Sequence, residues 1–174
     1  VRINSPGGDV FDGFAIYNLL NQHEGKVTVY VDGLAASAAS VIAMAGDEIV
    51  MADNALMMIH DPWTMSVGNA AEMRETASLL DKISGSILTT YLSKSNLEAA
   101  DITQKMKDES WFNAVEAVEF GFATSIASES AQTIANTAKP WIRNMPAPEK
   151  ASDDEDKQSA WRLAANRRRL ALIN

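Results

Sequence analysis

Three places in the sequence carry residues that together could cleave an acyl bond. Ser37 follows an apolar run and a turn containing Gly33, and it opens the alanine-rich stretch 38–45. A hydroxyl at the start of a helix lies near free backbone N–H groups and the positive end of the helix dipole, which suits a nucleophile whose attack creates an oxyanion. Its neighbours Ala35, Ala36, Ala38 and Ala39 are small, so a substrate backbone could come close. The position equally suits a plain N-cap serine. His60 closes the run 56–59 and precedes Asp61-Pro62. A neutral imidazole there can take a serine proton near neutral pH; a histidine hydrogen-bonded in a turn is the plainer alternative. Gly7-Gly8, after Pro6, exposes N–H groups with no side chain in the way and could donate to an oxyanion, or could simply turn the chain. A triad also needs a carboxylate to orient the imidazole. Asp108 and Glu109 stand just before Trp111-Phe112, whereas Asp61, next to His60 on an extended segment, should point the other way. Each of these acids could be an ordinary surface charge. His23, at a helix end between Gln22 and Glu24, reads as solvated.

The elements around these residues follow from pattern. Residues 1–4 read as a strand end and Ser5 to Gly8 as a tight turn. Asp9 can cap a helix reaching about His23, with Phe11, Phe14, Ala15, Ile16, Leu19 and Leu20 as its apolar stripe. The β-branched run 27–31 predicts a buried strand, and Gly33 to Ser37 a turn. A compact helix is expected over 38–45, then short strands over 48–51 and 56–59. This alternation argues for a mainly parallel sheet covered by helices. In such sheets ligands gather beyond the carboxyl ends of the strands, where both Ser37 and His60 fall.

After the loop 62–68, Asn69 followed by Glu72 has the character of a capping box. It predicts a long helix to about Ser93, with Met73, Ala77, Leu80, Ile87 and Tyr91 on one face. At roughly 1.5 Å per residue that helix is about 36 Å long. A globule this small cannot cover all of it, which points to a partner subunit. Short helices are expected over 97–107 and 114–120, the latter closed by Gly121, and a last strand over 122–126. Beyond about Ser128 the chain turns rich in Ala, Ser and Thr. Pro140, Pro146 and Pro148 interrupt it, then an acidic stretch precedes a basic end. Residues 128–174 are expected to be a linker and charged tail, disordered or partly helical.

Composition narrows the chemistry. The net charge of −8 argues against nucleic acid, whose phosphates need clustered Lys and Arg. With no cysteine and two histidines, the sequence offers no thiol nucleophile and poor material for a zinc site, and nothing in it calls for a cofactor. No run of about 18 uncharged apolar residues suggests a membrane span, and the cytoplasm is the default location. The opening Val1-Arg2-Ile3-Asn4 reads as a strand whose beginning is missing.

Four blocks, in this order and spacing, resemble the ClpP peptidases: Asn4 to Gly8, Gly33 to Ala38, Met58 to Pro62, and Trp111 to Ala114 with Glu116-Ala117-Val118 and Gly121. The resemblance spans residues 1–127. The short spacing and the tail look most like the ClpP-like head maturation proteases of bacteriophages and prophages. It implies an α/β fold, the ClpP/crotonase-like spiral of β-β-α units, with residues 69–93 as a long handle helix. It implies Ser37 as nucleophile, His60 as base, and the N–H groups of Gly8 and Ala38 as oxyanion hole. The acid becomes Glu109, where Asp is usual, with Asp108 as fallback. The partners implied are a polypeptide substrate, a homo-oligomeric ring (a heptamer or double ring), and an AAA+ unfoldase or capsid and scaffold proteins. Neither nucleic acid nor membrane is expected. Missing N-terminal strands would include the segment that lines the axial entrance in relatives. Other readings are a Ser–Lys dyad drawing on Lys26, Lys82 or Lys94, an acyl-CoA hydratase of the crotonase fold, and a non-catalytic capsid-assembly or ring scaffold.

Overall fold

The computed structural model describes residues 1–127, and the expected linker and tail lie outside the described residues. In chain order the elements are β1 (Arg2–Ser5), α1 (Val10–Asn21), β2 (Thr28–Ala36), α2 (Ala38–Ala43), β3 (Glu48–Met51), β4 (Leu56–Ile59), α3 (Ala70–Leu92), α4 (Ala99–Lys107), β5 (Ser110–Asn113), α5 (Ala114–Glu119) and β6 (Ser125–Ile126). This is the expected α/β alternation with a mainly parallel sheet, and α3 is the long handle.

The sheet is organised by β2. One of its edges takes β1, with Arg2 opposite Tyr30 and Ser5 opposite Ala35. The other is shared end to end: β3 pairs with Thr28–Val31, and β4 with Leu34–Ala36. All three pairings are parallel. Gly33 therefore lies within a strand, not in the expected turn; the pairing with β1 shifts register nearby, and β2 runs on to Ala36. The edge of β4 carries β5 in the antiparallel sense, with Ile59 opposite Ser110. No strand was expected at β5. Its four residues show no clear alternation, and only the pairing with β4 makes them a strand. Of the strand expected over 122–126, only Ser125-Ile126 pairs, with β3.

Between sheet and helices Val29, Val31, Ile49, Met51, Met57 and Ile59 are fully buried. Each such side chain contributes about 1.5–3 kcal/mol relative to exposure. Helix α3 begins with the expected capping box, the Asn69 side chain accepting from Ala71 and Glu72 N–H while Glu72 accepts from Asn69 N–H. Only its second half is covered. Ile83, Ile87, Thr90 and Tyr91 are buried, whereas Met73 is 49% exposed and Ala77 lies open. The apolar spacing continues along the helix, but the globule ends beneath it.

Helix α1 departs further from expectation. Asp9 caps it as predicted, but Phe11, Ile16 and Leu19 are exposed at 58%, 43% and 70%. Apolar residues run almost all round this helix, so spacing alone could not choose the inward face. Gly13 chooses it. A Cβ at Gly13 would lie 3.1 Å from the Ala38 Cβ, so α1 packs closely on the start of α2 through its bare backbone. Val10, Phe14 and Tyr17 pack beside that contact.

Candidate active site

The parallel strands β1, β2 and β4 run the same way, so their carboxyl ends come out together. Beyond those ends stand the Gly7-Gly8 turn, Ser37 and His60. The Ser37 N–H continues the ladder by donating to the Met58 carbonyl (3.0 Å). The nucleophile candidate is thereby tied to the strand that delivers the imidazole. Ser37 Oγ and His60 Nε2 lie 2.8 Å apart.

The plain N-cap alternative fails on geometry. Ser37 precedes α2, but its side chain makes no capping hydrogen bond and its backbone sits at φ 55°, ψ −128°. A non-glycine residue at positive φ costs on the order of 1–3 kcal/mol and persists only where its surroundings enforce it. Such a sharp strand-to-helix bend lifts a serine hydroxyl clear of the sheet end. Gly7, at φ 101°, fits beneath it, because a Cβ there would stand 2.7 Å from the Ser37 Cβ and 2.8 Å from the Ala36 carbonyl oxygen. Gly8 has nothing within 4 Å of its Cβ position and opens to solvent. Ala38 is the first residue of α2, so its N–H has no acceptor within the helix. Gly8, Ala38 and Ser37 line the same cleft.

The antiparallel β4–β5 pairing brings up the candidate acid. Ile59 faces Ser110, so Glu109 emerges beside His60. The Met106 carbonyl accepts from both Asp61 N–H (3.0 Å) and Glu109 N–H (3.2 Å), pinning the two segments to one point. Glu109 Oε2 nevertheless stands 4.0 Å from His60 Nδ1, beyond hydrogen-bond length, and its side chain is 59% exposed. The fallback acid Asp108 is turned away, accepting from Gln104 Nε2 at 2.9 Å. Asp61 points to the handle, as its place beside His60 required, and accepts from the Ser84 hydroxyl. Lys26, one of the dyad candidates, is held by Glu48 at 2.6 Å. His23 is exposed at the end of α1.

A cleft of about 650 Å³ opens over the Ser37–His60 pair. Its walls include Val41, Met58, Ile83 and Ile87, so the space beside the hydroxyl is mainly apolar. Two hydroxyls behind the cleft were not singled out in the sequence. The Ser40 hydroxyl is buried behind Ser37, and the Tyr91 hydroxyl meets it. Tyr91 stood out only as part of an apolar face; a serine inside the otherwise apolar AASVIA helix was the available signal.

A serine hydroxyl hydrogen-bonded to an imidazole, beside free backbone N–H groups on an α/β sheet, is the arrangement of a serine hydrolase. Residues 1–130 match the family model described as Clp protease, and the chain belongs to that family. It is 29% identical over 132 residues to an ATP-dependent Clp protease proteolytic subunit of Chlorella vulgaris, covering 75% of this chain and 66% of the relative. It is 31% identical over 129 residues to proteolytic subunit 2 of Treponema denticola (73% and 64%). A subunit from Leuconostoc citreum matches at 31% over 134 residues (75% and 67%). Across these and other curated relatives the match spans 58–67% of their length, under two thirds for most of them.

Proposed function

We propose that residues 1–127 form a peptidase domain that hydrolyses peptide bonds through Ser37, His60 and Glu109. The observation that carries this reading is the 2.8 Å approach of Ser37 Oγ to His60 Nε2 by a serine that caps nothing. Ser37 Oγ attacks the peptide carbonyl while His60 Nε2 takes its proton, and the N–H groups of Gly8 and Ala38 receive the oxyanion. His60 then gives the proton to the leaving amine. A water molecule, deprotonated by His60, attacks the acyl-enzyme, and the carboxylic acid leaves as Ser37 regains its proton. Glu109 steadies the imidazolium from the Nδ1 side, in competition with solvent.

The substrate of this reading is a polypeptide, its side chain lying in the apolar cleft beside Val41 and Ile87. The exposed apolar residues of α1 and the free half of α3 support assembly with further copies of the chain, as a ring or paired rings. An AAA+ unfoldase, or capsid and scaffold proteins, complete the partners. Prohead maturation in a phage or prophage, within the bacterial cytoplasm, is the setting that the short motif spacing supports; general Clp-type proteolysis is the alternative. Among the described residues no helix is long and apolar enough to cross a membrane.

The test is labelling by a fluorophosphonate probe together with cleavage of a fluorogenic peptide. Both should vanish in Ser37→Ala. A Ser37→Ala protein that still labels and cleaves refutes the assignment. A wild-type protein that does neither in its assembled state returns the choice to a scaffold or a hydratase, which need no serine nucleophile.

A further inference from the structure

Ser40 is fully buried in α2, with its Oγ 2.6 Å from the Ser37 carbonyl oxygen and 2.8 Å from Tyr91 Oη. A carbonyl oxygen can only accept, so the single Ser40 hydroxyl hydrogen is committed to Ser37. Tyr91 must then donate to Ser40. The chain of hydrogen bonds has one direction: Tyr91 O–H to Ser40 Oγ, and Ser40 O–H to the Ser37 carbonyl. Burial pushes the Tyr91 hydroxyl above its ordinary range, so it stays a donor. Its ring is fixed edge-on against Phe122 at 5.7 Å, and Phe122 stacks on Phe112 of β5 at 5.2 Å.

The Ser37 carbonyl is not an isolated group. It shares a planar peptide unit with the Ala38 N–H. It also accepts the Ser40 N–H at 2.9 Å. Donors on the carbonyl oxygen fix the plane of that peptide next to the strained Ser37. They also draw charge toward the oxygen, which makes the N–H at the other end a stronger donor, since linked hydrogen bonds polarise one another. We propose that Ser40 and Tyr91 are positioning residues of the reaction: a buried hydroxyl chain, reaching from the handle helix to the back of the nucleophile bend, that orients and polarises the Ser37–Ala38 peptide toward the oxyanion. The proposal rests on the reading of Ser37 as nucleophile. It makes α3 part of the catalytic apparatus, because the first donor stands on that helix.

The test uses the full chain with Ser40→Ala, Tyr91→Phe and the double variant. Three quantities are measured: kcat and KM on a fluorogenic peptide, the affinity of a peptide boronate against that of an unreactive peptide of the same sequence, and the thermal midpoint. A boronate bonded to Ser37 places a negative tetrahedral group against the oxyanion donors, whereas the unreactive peptide does not. Ser40→Ala should lower kcat and boronate affinity together by about tenfold, the scale of one hydrogen bond, with KM and unreactive-peptide affinity within about twofold. Tyr91→Phe should lower the same two quantities by about threefold. The double variant should match Ser40→Ala in kcat and exceed it in thermal midpoint, because the tyrosine hydroxyl is no longer left buried and unpaired. Lower thermal midpoints with kcat and boronate affinity held within twofold would overturn the proposal. So would single losses in kcat that multiply in the double variant, since Tyr91 acts only through Ser40. If Ser40→Ala does not fold, Tyr91→Phe decides: unchanged kcat and boronate affinity overturn the proposal. Cleavage that survives Ser37→Ala is a separate result and refutes the nucleophile itself.

Discussion

Replacing Gly7 by alanine should damage both stability and chemistry, whereas the same change at Gly8 should leave stability intact. At Gly7 the backbone has φ 101°, and a Cβ would sit 2.7 Å from the Ser37 Cβ, 2.8 Å from the Ala36 carbonyl oxygen and 3.1 Å from the Ala38 nitrogen. Forcing an L side chain into a left-handed conformation costs about 1–2 kcal/mol. Overpacking against neighbours that cannot yield costs about 1–3 kcal/mol more. Two of those neighbours are backbone atoms, so the turn and the Ser37 bend must move apart. Together the costs amount to roughly 2–5 kcal/mol, a fall in Tm on the order of 10 °C for a chain of this size. A displacement of about 1 Å between reacting groups costs about a hundredfold in rate. At Gly8 nothing lies within 4 Å of the added carbon and φ is not in the left-handed range, so Tm should stay within about 2 °C. Thermal unfolding followed by fluorescence, with second-order labelling by a small fluorophosphonate, measures both quantities. Equal Tm losses at the two glycines would refute the reasoning, as would a Gly7→Ala protein that labels at the wild-type rate.

Glu109→Gln should reduce kcat by only about tenfold, far less than the roughly 10⁴-fold loss when a buried triad acid is neutralised, because Glu109 stands 4.0 Å from the imidazole and is 59% exposed; Asp108→Asn should leave peptide cleavage unchanged, since Asp108 faces Gln104. A 10⁴-fold loss in Glu109→Gln would show that the carboxylate closes on His60 during turnover. Alkaline unfolding should report Tyr91. Its folded-state value is raised, so the contribution is complete below the ordinary tyrosine value of about 10 and is lost as pH climbs above it. The limiting slope is about 1.4 kcal/mol per pH unit relative to Tyr91→Phe in urea melts, and parallel curves for the two proteins would contradict it. Leu79→Asp on the uncovered part of α3, where Leu79 is 51% exposed, should leave Tm within about 2 °C while reducing oligomer size in sedimentation velocity. An unchanged oligomer would remove that face from the assembly.

The candidate site was legible in the sequence where its residues leave local marks. Ser37 and His60 each follow an apolar run, and parallel pairing of those runs is enough to bring their ends together. The Gly7-Gly8 pair was marked by its type, and of the two only Gly7 is crowded and left-handed. What stayed hidden depends on contacts distant in sequence. Strand β5 has no pattern of its own and exists because β4 offers it an edge, so the approach of Glu109 to His60 could be argued only by resemblance. The stripe on α1 was misjudged because its apolar residues surround the helix, and a glycine, invisible to any hydrophobic pattern, selects the packed face. The handle was placed correctly by its cap and its period, but the period carries on past the point where the globule stops. Ser40 and Tyr91 lie 51 residues apart, and only the fold makes them partners.

Strand β2 is flanked along its whole length, by β1 on one side and by β3 and then β4 on the other. Its N–H groups point alternately to the two flanks, so freeing all of them requires both flanks to separate. Just past its end, Ser37 is tied by its own N–H to Met58 of β4, and His60 closes that same strand, whose outer partner is the four-residue β5. Local opening of β5 should therefore carry Glu109 away before it parts Ser37 from His60, because one strand ladder holds those two together.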